Sequence, residues 1–418
     1  MYDIEMSDYM EDLKIKYAEV ILKFCLNVEK DNPLFISYDI EIRDFVRILV
    51  GLAYDMGIRD IYLEGIDSNL KHDAIKYLSV EECKKTPYWN REAWNVYAKK
   101  NAAFLILASE QPGLMSDIDP KKIKELVSYS QSTRKDFDDK RDKSELLWTI
   151  AAVPTKLWAS KIFPNSETPL DDLWKKIFDI CLINNDNPVK LWETKLSRLT
   201  KTKDKLNEYR FKNLEYSNSK GTDFKISLPD KHIWLSGTEK ITNGRVYLPN
   251  FPTEEIFTSP DYNTAEGILY SSKPLSYQGK IIENFNITFE KGKAVKYSAD
   301  KGEDALKEMI SNCKNSEYLG EVALVEYDSS ISKTNLIFYE TLFDENASCH
   351  VALGDSFPEC YEEGPNISKE ELFNLGLNDC KSHTDFMIGT EDLEIVGITG
   401  DDKKVKIFEK GNFTKEFK

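Results

Sequence analysis

The chain has 418 residues, of which 41% are hydrophobic and 31% are charged, and this length predicts two or three domains. The composition is that of a folded globular protein and excludes a disordered, collagen-like or disulfide-scaffold protein. The net charge of -16 repels phosphate backbones and anionic lipids, so neither nucleic acid nor a membrane is an expected partner. No apolar run approaches the roughly 18 residues that span a bilayer.

The seven cysteines are scattered along the chain, and none forms a CxxC pair. Their odd number and their spacing exclude a zinc finger and favour free thiols in a reducing compartment. The first residues, MYDIEMSDYMEDLK, are acidic and lack the apolar core of a signal peptide. We therefore expect a cytoplasmic protein.

The first half of the chain alternates helix and strand patterns. Apolar positions at helical spacing predict two helices, and short apolar runs predict three strands. The helices are at 8–28 and 44–57, and the strands at 33–38, 60–65 and 102–109. Gly57 is the expected end of the second helix, and Asp119 with Pro120 is typical of the start of another. This order predicts an α/β domain with a largely parallel sheet, and no GxGxxG or P-loop motif adds a nucleotide-binding signal.

The pattern changes near residue 200. An amphipathic helix at 170–182 and a polar helical stretch at 195–216 precede a series of short, alternating strands. The segment Glu290-Lys291-Gly292-Lys293 is typical of a hairpin turn. We therefore predict an N-terminal α/β domain at 1–200 and a strand-rich α+β C-terminal domain at 201–418.

The four histidines differ in their surroundings. His72 lies in a polar helical segment and is expected at the surface, and His232 precedes an apolar strand, where a structural role is expected. His350 follows three acidic residues, namely Glu340, Asp344 and Glu345. His383 and Asp385 are two residues apart, so on a strand they share a face and can reach one metal ion, or simply hydrogen-bond to each other.

Three further carboxylates lie in unusual positions. Glu254 and Glu255 are adjacent in a proline-bounded segment, where both would ordinarily be solvated. Glu321 opens an apolar strand, where a charge costs several kcal/mol unless it is paired or bound to a metal. Glutamate, aspartate and histidine are the ligand types of hydrolytic sites with two divalent ions about 3.5–4 Å apart, although spacing alone does not bring these side chains together.

Several segments occur in one order along the chain. In the second half these are PTEEIFTSPD, EGILYSSKPLSYQG, LGEVALV, FYETLFDENASCHVALG and HTDFMIG. With AAVPTKLWASKIFP, LDDLWKKIFDIC and DNPVKLWE in the first half, they resemble the thermophilic-type metalloaminopeptidases, the family of aminopeptidase T, aminopeptidase S and PepS. The resemblance extends from about residue 15 to about residue 415.

The resemblance implies a cytoplasmic, metal-dependent aminopeptidase that removes N-terminal residues from peptides by means of a water activated by two metals. It implies two divalent ions per subunit, which are zinc, cobalt, manganese or magnesium, and a homodimer whose active sites open to an internal cavity. The metal ligands that it implies in the C-terminal domain are Glu255, Glu321, Glu345, His350, His383 and Asp385. Glu254 is then left to support the ligands or to accept a proton during catalysis.

The chain departs from the family pattern seven residues after His350. The family usually has a tyrosine there, whereas this chain has Phe357, and Cys380 stands where a serine is usual. If the missing phenol polarises the scissile carbonyl, its loss costs about 10²–10³-fold in rate, unless Tyr361 replaces it. The alternative hypothesis is therefore a catalytically weak, metal-binding pseudoenzyme or scaffold dimer.

Overall fold

The computed structural model of the protein describes residues 2–85, 88–109, 111–278 and 280–418. The chain divides into two compact units. The first contains the chain up to Glu193 together with Thr238–Pro252, and the second contains Thr194–Gly237 and Thr253–Lys418. The sequence does not foresee the return of a short segment to the first unit. The domains 1–200 and 201–418 stay a prediction, because compactness alone does not show that a segment folds independently.

The α-helices of the described residues are numbered in chain order. They are α1 Tyr2–Glu19, α2 Arg43–Asp55, α3 Ser68–Tyr77, α4 Val80–Cys83, α5 Tyr88–Lys99, α6 Pro120–Ser132, α7 Lys135–Asp142, α8 Lys156–Ile162, α9 Pro169–Ile180, α10 Pro188–Tyr209, α11 Glu303–Ser311, α12 Thr341–Asp344 and α13 Lys369–Asn374. A π-helical turn at Val20–Cys25 continues α1.

The strands of the described residues are numbered in the same way. They are β1 Leu34–Asp39, β2 Ile61–Ile66, β3 Ala103–Ala108, β4 Trp148–Ala152, β5 Asn213–Ser217, β6 Asp223–Ser227, β7 Leu235–Ser236, β8 Glu239–Lys240, β9 Val246–Tyr247, β10 Asn250–Phe251, β11 Ile256–Thr258, β12 Glu266–Tyr270, β13 Leu275–Tyr277, β14 Lys280–Ile282, β15 Asn286–Glu290, β16 Lys293–Ser298, β17 Leu319–Leu324, β18 His350–Gly354, β19 His383–Met387, β20 Glu394–Ile398, β21 Lys404–Glu409 and β22 Asn412–Phe413.

The first unit is built on a parallel sheet in the order β10-β4-β3-β1-β2. Its inner strands β1 and β3 are largely buried, as expected for parallel strands that helices cover. One core cluster packs Phe35, Trp94, Phe104 and Phe137 together. The predicted strands and helices of this half are present, with Gly57 at a φ of 89° after α2 and the Asp119 carboxylate accepting from the Lys121 N–H at the start of α6.

The second unit contains two larger antiparallel sheets. One has the order β16-β15-β12-β6-β5-β20-β21-β22, and the other has the order β19-β18-β17-β11-β7. The hairpin predicted at 290–293 joins β15 to β16, and Lys291 and Gly292 both have positive φ, at 49° and 81°. A Cβ on Gly292 would lie 1.9 Å from the Tyr262 carbonyl oxygen, so only glycine fits there. The predicted fold class, α/β followed by a strand-rich region, is confirmed.

One helix prediction extends too far. The stretch 195–216 is predicted to be helical throughout, but α10 ends at Tyr209 and β5 begins at Asn213. Burial alternates along β5, with Leu214 and Tyr216 facing inward, which is typical of a strand. The helical pattern of the preceding residues conceals this short signal in the sequence. The strand forms a local hairpin with β6 and pairs on its other edge with β20, which is distant in the chain.

Candidate metal centre

The candidate site lies on one face of the sheet formed by β17, β18 and β19. Glu321 on β17 is directly opposite Ala352 on β18, which is directly opposite Asp385 on β19. Directly opposed residues of antiparallel strands share a face, so the two carboxylates flank the small Ala352 side chain. His350 lies two residues before Ala352 on the same strand, and His383 two residues before Asp385, so both imidazoles belong to this face.

Two groups of ligand atoms converge on this face. Glu255, Glu321 and His350 offer atoms that all lie within 4.8 Å of one another, and so do Glu321, His383 and Asp385. The Nε2 atom of His383 is 2.9 Å from Glu321 Oε2 and 3.3 Å from Asp385 Oδ1. The Nε2 atom of His350 is 3.4 Å from Glu255 Oε2. Glu321 belongs to both groups and therefore joins them.

Both histidines are held with the same nitrogen toward the cluster. The Nδ1 atom of His350 is 3.1 Å from the Ser348 carbonyl oxygen, and that of His383 is 2.8 Å from the Asp355 carbonyl oxygen. Because a carbonyl only accepts, each Nδ1 carries a proton and donates it. When the ring is neutral, the lone pair of Nε2 therefore faces the cluster, which is the arrangement that orients metal-binding histidines.

Glu345 reaches the site from the turn after α12. The two acidic residues before it serve the backbone, since the Glu340 carboxylate accepts from the Phe343 N–H and the Asp344 carboxylate accepts from the Phe338 and Glu340 N–H groups. In the described part of the chain Glu345 belongs to neither group of converging ligand atoms. Burial nevertheless raises its pKa well above the usual range, and the negative charge of Glu255 raises it further.

Asn346 connects this turn to the segment that carries Glu255. The Asn346 side chain is fully buried, and its Oδ1 atom accepts from the Glu254 N–H at 2.6 Å. Its Nδ2 atom donates to the Leu342 carbonyl oxygen at 3.0 Å and lies 3.4 Å from Glu345 Oε1. One amide therefore fixes the backbone beside Glu255 relative to Glu345.

Glu254 points to different partners from its neighbour. Its Oε1 atom is 2.7 Å from Lys195 Nζ and accepts from the Ser330 N–H at 3.1 Å. Both Glu254 and Glu255 are only 7% exposed, so the expectation that this pair is solvated is wrong. Each carboxylate is compensated separately, Glu254 by a lysine and a backbone N–H, and Glu255 by the imidazole of His350.

The mutual charges of the cluster shift its protonation equilibria. Burial opposes a charge on His350, but the hydrogen bond and charge of Glu255 outweigh it and raise the pKa of His350 to about 9. Burial raises the pKa of Glu321. Burial acts in the same direction on Asp385, but the positive charge of His383 prevails and holds the pKa of Asp385 below its ordinary value.

The donor set fits divalent metal ions. Four carboxylates and two imidazoles are the oxygen and nitrogen ligands that such ions prefer, and two positive charges on the histidines cannot balance four carboxylates. The Oδ1 atom of Asp385 is buried, and its one close cationic neighbour among the described residues is His383 Nε2, at 3.3 Å and without good hydrogen-bond geometry. A buried anionic oxygen without a donor is costly unless a cation lies beside it.

Phe357 lies against this cluster. Its ring centroid is 4.9 Å from that of His383 and 5.5 Å from that of Phe257. Tyr361 instead packs in a hydrophobic group with Leu372 and Leu377. The residue at the position where the family usually has a tyrosine therefore contacts a candidate ligand, whereas the nearby phenol is part of a separate apolar contact.

The remaining two histidines lie outside the cluster. His232 is 2% exposed and its Nδ1 atom is 2.8 Å from the Pro229 carbonyl oxygen, which is the structural role that the sequence indicates. His72, on α3, is 2.8 Å from Asp117 through Nε2.

Residues 10–413 match the family described as thermophilic metalloprotease (M29). The chain belongs to this family. The resemblance predicted from the sequence is confirmed, and membership of a metalloprotease family implies a divalent metal. Among the described residues, no helix combines the length and the apolar character needed to cross a bilayer.

Alignments with named aminopeptidases cover almost the whole chain. Aminopeptidase AmpS of Bacillus subtilis is 38% identical over 95% of this chain and 97% of its own length. Aminopeptidase 2 of Geobacillus stearothermophilus is 37% identical over 96% of this chain and 97% of its own. The structure of wild-type AmpT from Thermus thermophilus superposes with a TM-score of 0.89, at 31% identity, over 97% of this chain and 99% of that one.

Three contributors to the site are missed by reasoning from the sequence. Ala352 has no reactive group, and its value lies in being small between two carboxylates. Asn346 binds the Glu254 backbone and Lys195 binds the Glu254 side chain, and no motif around either residue predicts these contacts. The alternation of His350, Ala352 and Gly354 in HVALG is the one available signal, because it places a ligand and two small residues on one strand face.

Proposed function

We propose that the protein is a metal-dependent aminopeptidase that hydrolyses N-terminal residues from peptides. The observation that supports this most strongly is the convergence of two ligand groups on one sheet face, joined by Glu321. The names of the relatives, which are aminopeptidases, support the choice of peptides as substrates. The strong negative charge of the cluster suits the free amine of a peptide N-terminus.

In this proposal six side chains hold two divalent ions, which are zinc, cobalt, manganese or magnesium. The ligands are Glu255, Glu321, Glu345, His350, His383 and Asp385. Two ions bound there would lower the pKa of a shared water and polarise the scissile carbonyl. Glu321 belongs to both groups and would therefore contribute to holding both ions.

The chain's own residues orient the reactants and move the proton. Glu254 is the proposed proton acceptor, which passes the proton to the leaving amine. Lys195 and the Ser330 N–H hold its Oε1 atom, so the second oxygen is the one assigned to this role. Phe357 places an apolar ring beside His383, where it would reduce contact of bulk water with that side of the imidazole.

The experiment uses chelator-treated, dialysed protein and a series of aminoacyl-4-nitroanilides. We expect no turnover without added metal, recovery with at least one of the four ions, and no cleavage of the N-acetylated substrate. Asp385→Asn should lose at least about 10²-fold in kcat/KM, because it removes a charge from the donor set. Asp401→Asn, an exposed change, is the control and should leave the rate unchanged. Full activity of the metal-free protein would contradict the proposal.

A catalytically weak, metal-binding pseudoenzyme is the second candidate, and the contact between Phe357 and His383 favours it. Under this alternative the protein binds metal stoichiometrically but turns over none of the nitroanilides with any ion. Phe357→Tyr distinguishes the two. If the missing phenol limits the rate, this variant gains about 10²–10³-fold in kcat. A gain under twofold would show that the chain does not depend on that donor.

We also propose that the protein is a cytoplasmic homodimer. All seven cysteines are free, which suits a reducing compartment. The dimer is inferred from the family resemblance. Light scattering coupled to gel filtration tests it, and a mass of about 48 kDa across the micromolar range would contradict it, because the chain itself is 48.2 kDa.

A further inference from the structure

Two thiols outside the ligand cluster lie in contact. The Sγ atoms of Cys313 and Cys380 are 3.0 Å apart, although the two residues are 67 positions apart in the chain. Cys313 follows α11, and Cys380 lies three residues before His383. Neither residue has a role in the proposed hydrolysis, so the pair requires a separate explanation.

The surrounding hydrogen bonds keep the two segments together. Asn315 Nδ2 donates to the Asp379 carbonyl oxygen at 3.0 Å, and Asn378 Nδ2 donates to the Asn315 carbonyl oxygen at 2.9 Å. The Cys380 N–H donates to Asp355 Oδ1 at 3.0 Å. The first two bonds join the segments beside the thiols, and the third anchors Cys380 to Asp355, so the two segments are held close together at this point.

A hydroxyl completes the group. Ser382 Oγ is 3.2 Å from Cys313 Sγ and 3.3 Å from Cys380 Sγ. A hydroxyl donor stabilises a thiolate, which is the reactive form of cysteine, but burial outweighs this at Cys380 and raises its pKa. Cys313 is partly exposed whereas Cys380 is 7% exposed, so an oxidant in solution meets Cys313 first.

We propose that Cys313 and Cys380 are a modification site at which a hydroperoxide forms a reversible intramolecular disulfide. A disulfide needs the sulfurs at about 2.05 Å, so the two sulfur atoms must approach each other by about 1 Å. The bond would join the end of α11 to the loop that leads into β19. It would thereby tether the segment from which His383 and Asp385 extend.

The chemistry balances with hydrogen peroxide as the oxidant. Transfer of one peroxide oxygen to Cys313 Sγ gives a sulfenic acid and one water. Cys380 Sγ then attacks the sulfenic sulfur, the S–S bond forms, the S–O bond breaks, and the hydroxide leaves with the thiol proton as a second water. In total the two thiols lose two electrons and two protons, and one hydrogen peroxide is reduced to two waters.

The chain contains a second pair of neighbouring cysteines, which serves as a control. Cys25 and Cys181 lie close enough for a charge on Cys181 to raise the pKa of Cys25, which burial raises first. Both are 0% exposed, so a peroxide in solution cannot reach them in the folded protein. Comparing the buried pair with Cys313 and Cys380 therefore separates the effect of thiol proximity from the effect of solvent access on disulfide formation.

The test treats the full-length, folded protein with hydrogen peroxide, removes the peroxide, unfolds the protein in denaturant with iodoacetamide to block every remaining thiol, and maps the digest by mass spectrometry. We expect a linked peptide that contains Cys313 and Cys380, parallel loss of alkylation at both, and full alkylation of both after reduction by dithiothreitol. Cys25 and Cys181 should stay unlinked. In Cys313→Ser, Cys380 should remain alkylated under the same exposure.

Three results would overturn the proposal. They are full alkylation of both thiols after peroxide, oxidation of Cys313 to a sulfinic acid without a linked peptide, and a link between Cys313 and any other cysteine. If Cys313→Ser fails to fold, the peptide map of the unchanged protein decides alone. These results are independent of aminopeptidase activity, so they stand whether or not the proposed hydrolysis is correct.

Discussion

The substitution Ala352→Val tests the geometry of the ligand cluster directly. Ala352 is 0% exposed and lies between Glu321 and Asp385 in the sheet register. Valine adds two carbon atoms on the face where the ligand atoms of Glu321, His383 and Asp385 lie within 4.8 Å of one another. Extra atoms in a packed site cost about 1–3 kcal/mol and displace their neighbours. A displacement near 1 Å at reacting groups costs about 10²-fold in rate.

We therefore expect Ala352→Val to fold, to lose about 10²-fold in kcat/KM with aminoacyl-4-nitroanilides, and to bind zinc more weakly in a calorimetric titration. The control is Val351→Ile, which also adds bulk at a 0% exposed position, but opposite Val322 and Phe386 on the other face. The control should lose stability and keep its activity. Wild-type kcat/KM and metal affinity in a folded Ala352→Val protein would refute the placement of the site on this face.

Three further predictions concern stability and pH. Lys195→Met leaves the buried Glu254 carboxylate without its cation and should cost about 3 kcal/mol in urea unfolding, most of which Lys195→Arg should restore; an unchanged midpoint would show that the pair is not needed. Burial lowers the pKa of His232, so below about pH 6.5 the unfolded chain binds a proton that the folded chain does not. The free energy of unfolding should therefore decrease as the pH is lowered below about 6.5, by up to about 1.4 kcal/mol per pH unit. His232→Asn should reduce that slope, and identical slopes would contradict the assignment. In the metal-free protein burial opposes the charge on His350, but Glu255 raises its pKa to about 9, so this group stabilises the fold below about pH 6.5 and loses that contribution as the pH rises through about 9. Zinc must displace the same proton, so zinc affinity should rise from pH 6.5 to pH 9 in calorimetry, and a flat profile would be inconsistent with a protonated His350.

The regular elements of the first unit follow from local patterns in the sequence. The strands around Phe35 and Phe104 are apolar runs, and the helix before Gly57 has one apolar face, so burial and conformation agree with local preference. The helix prediction fails around Tyr216 because one partner of this strand, β20, lies far along the chain, although its other partner, β6, follows after a turn of five residues. Where a helical pattern of apolar residues runs on into a strand, the sequence does not show where the helix ends unless the partner strand is known.

The candidate site shows the same limit. His383 and Asp385 are predicted to share a face because period-two geometry needs only the strand itself, and they do. The register that places Glu321 opposite Ala352 depends on strands that are distant in the chain. The buried Glu254 carboxylate is paired with Lys195, which lies 59 positions earlier in the chain, and no local pattern indicates such a partner.

The most direct test of the ligand cluster is an anomalous difference map from a crystal grown with zinc and recorded above the zinc absorption edge. The account predicts two peaks about 3.5–4 Å apart, both within bonding distance of Glu321, with one on His350 and the other on His383. Peaks bound elsewhere on the chain, with Glu321 and Asp385 bound to no metal at saturating zinc, would contradict the account.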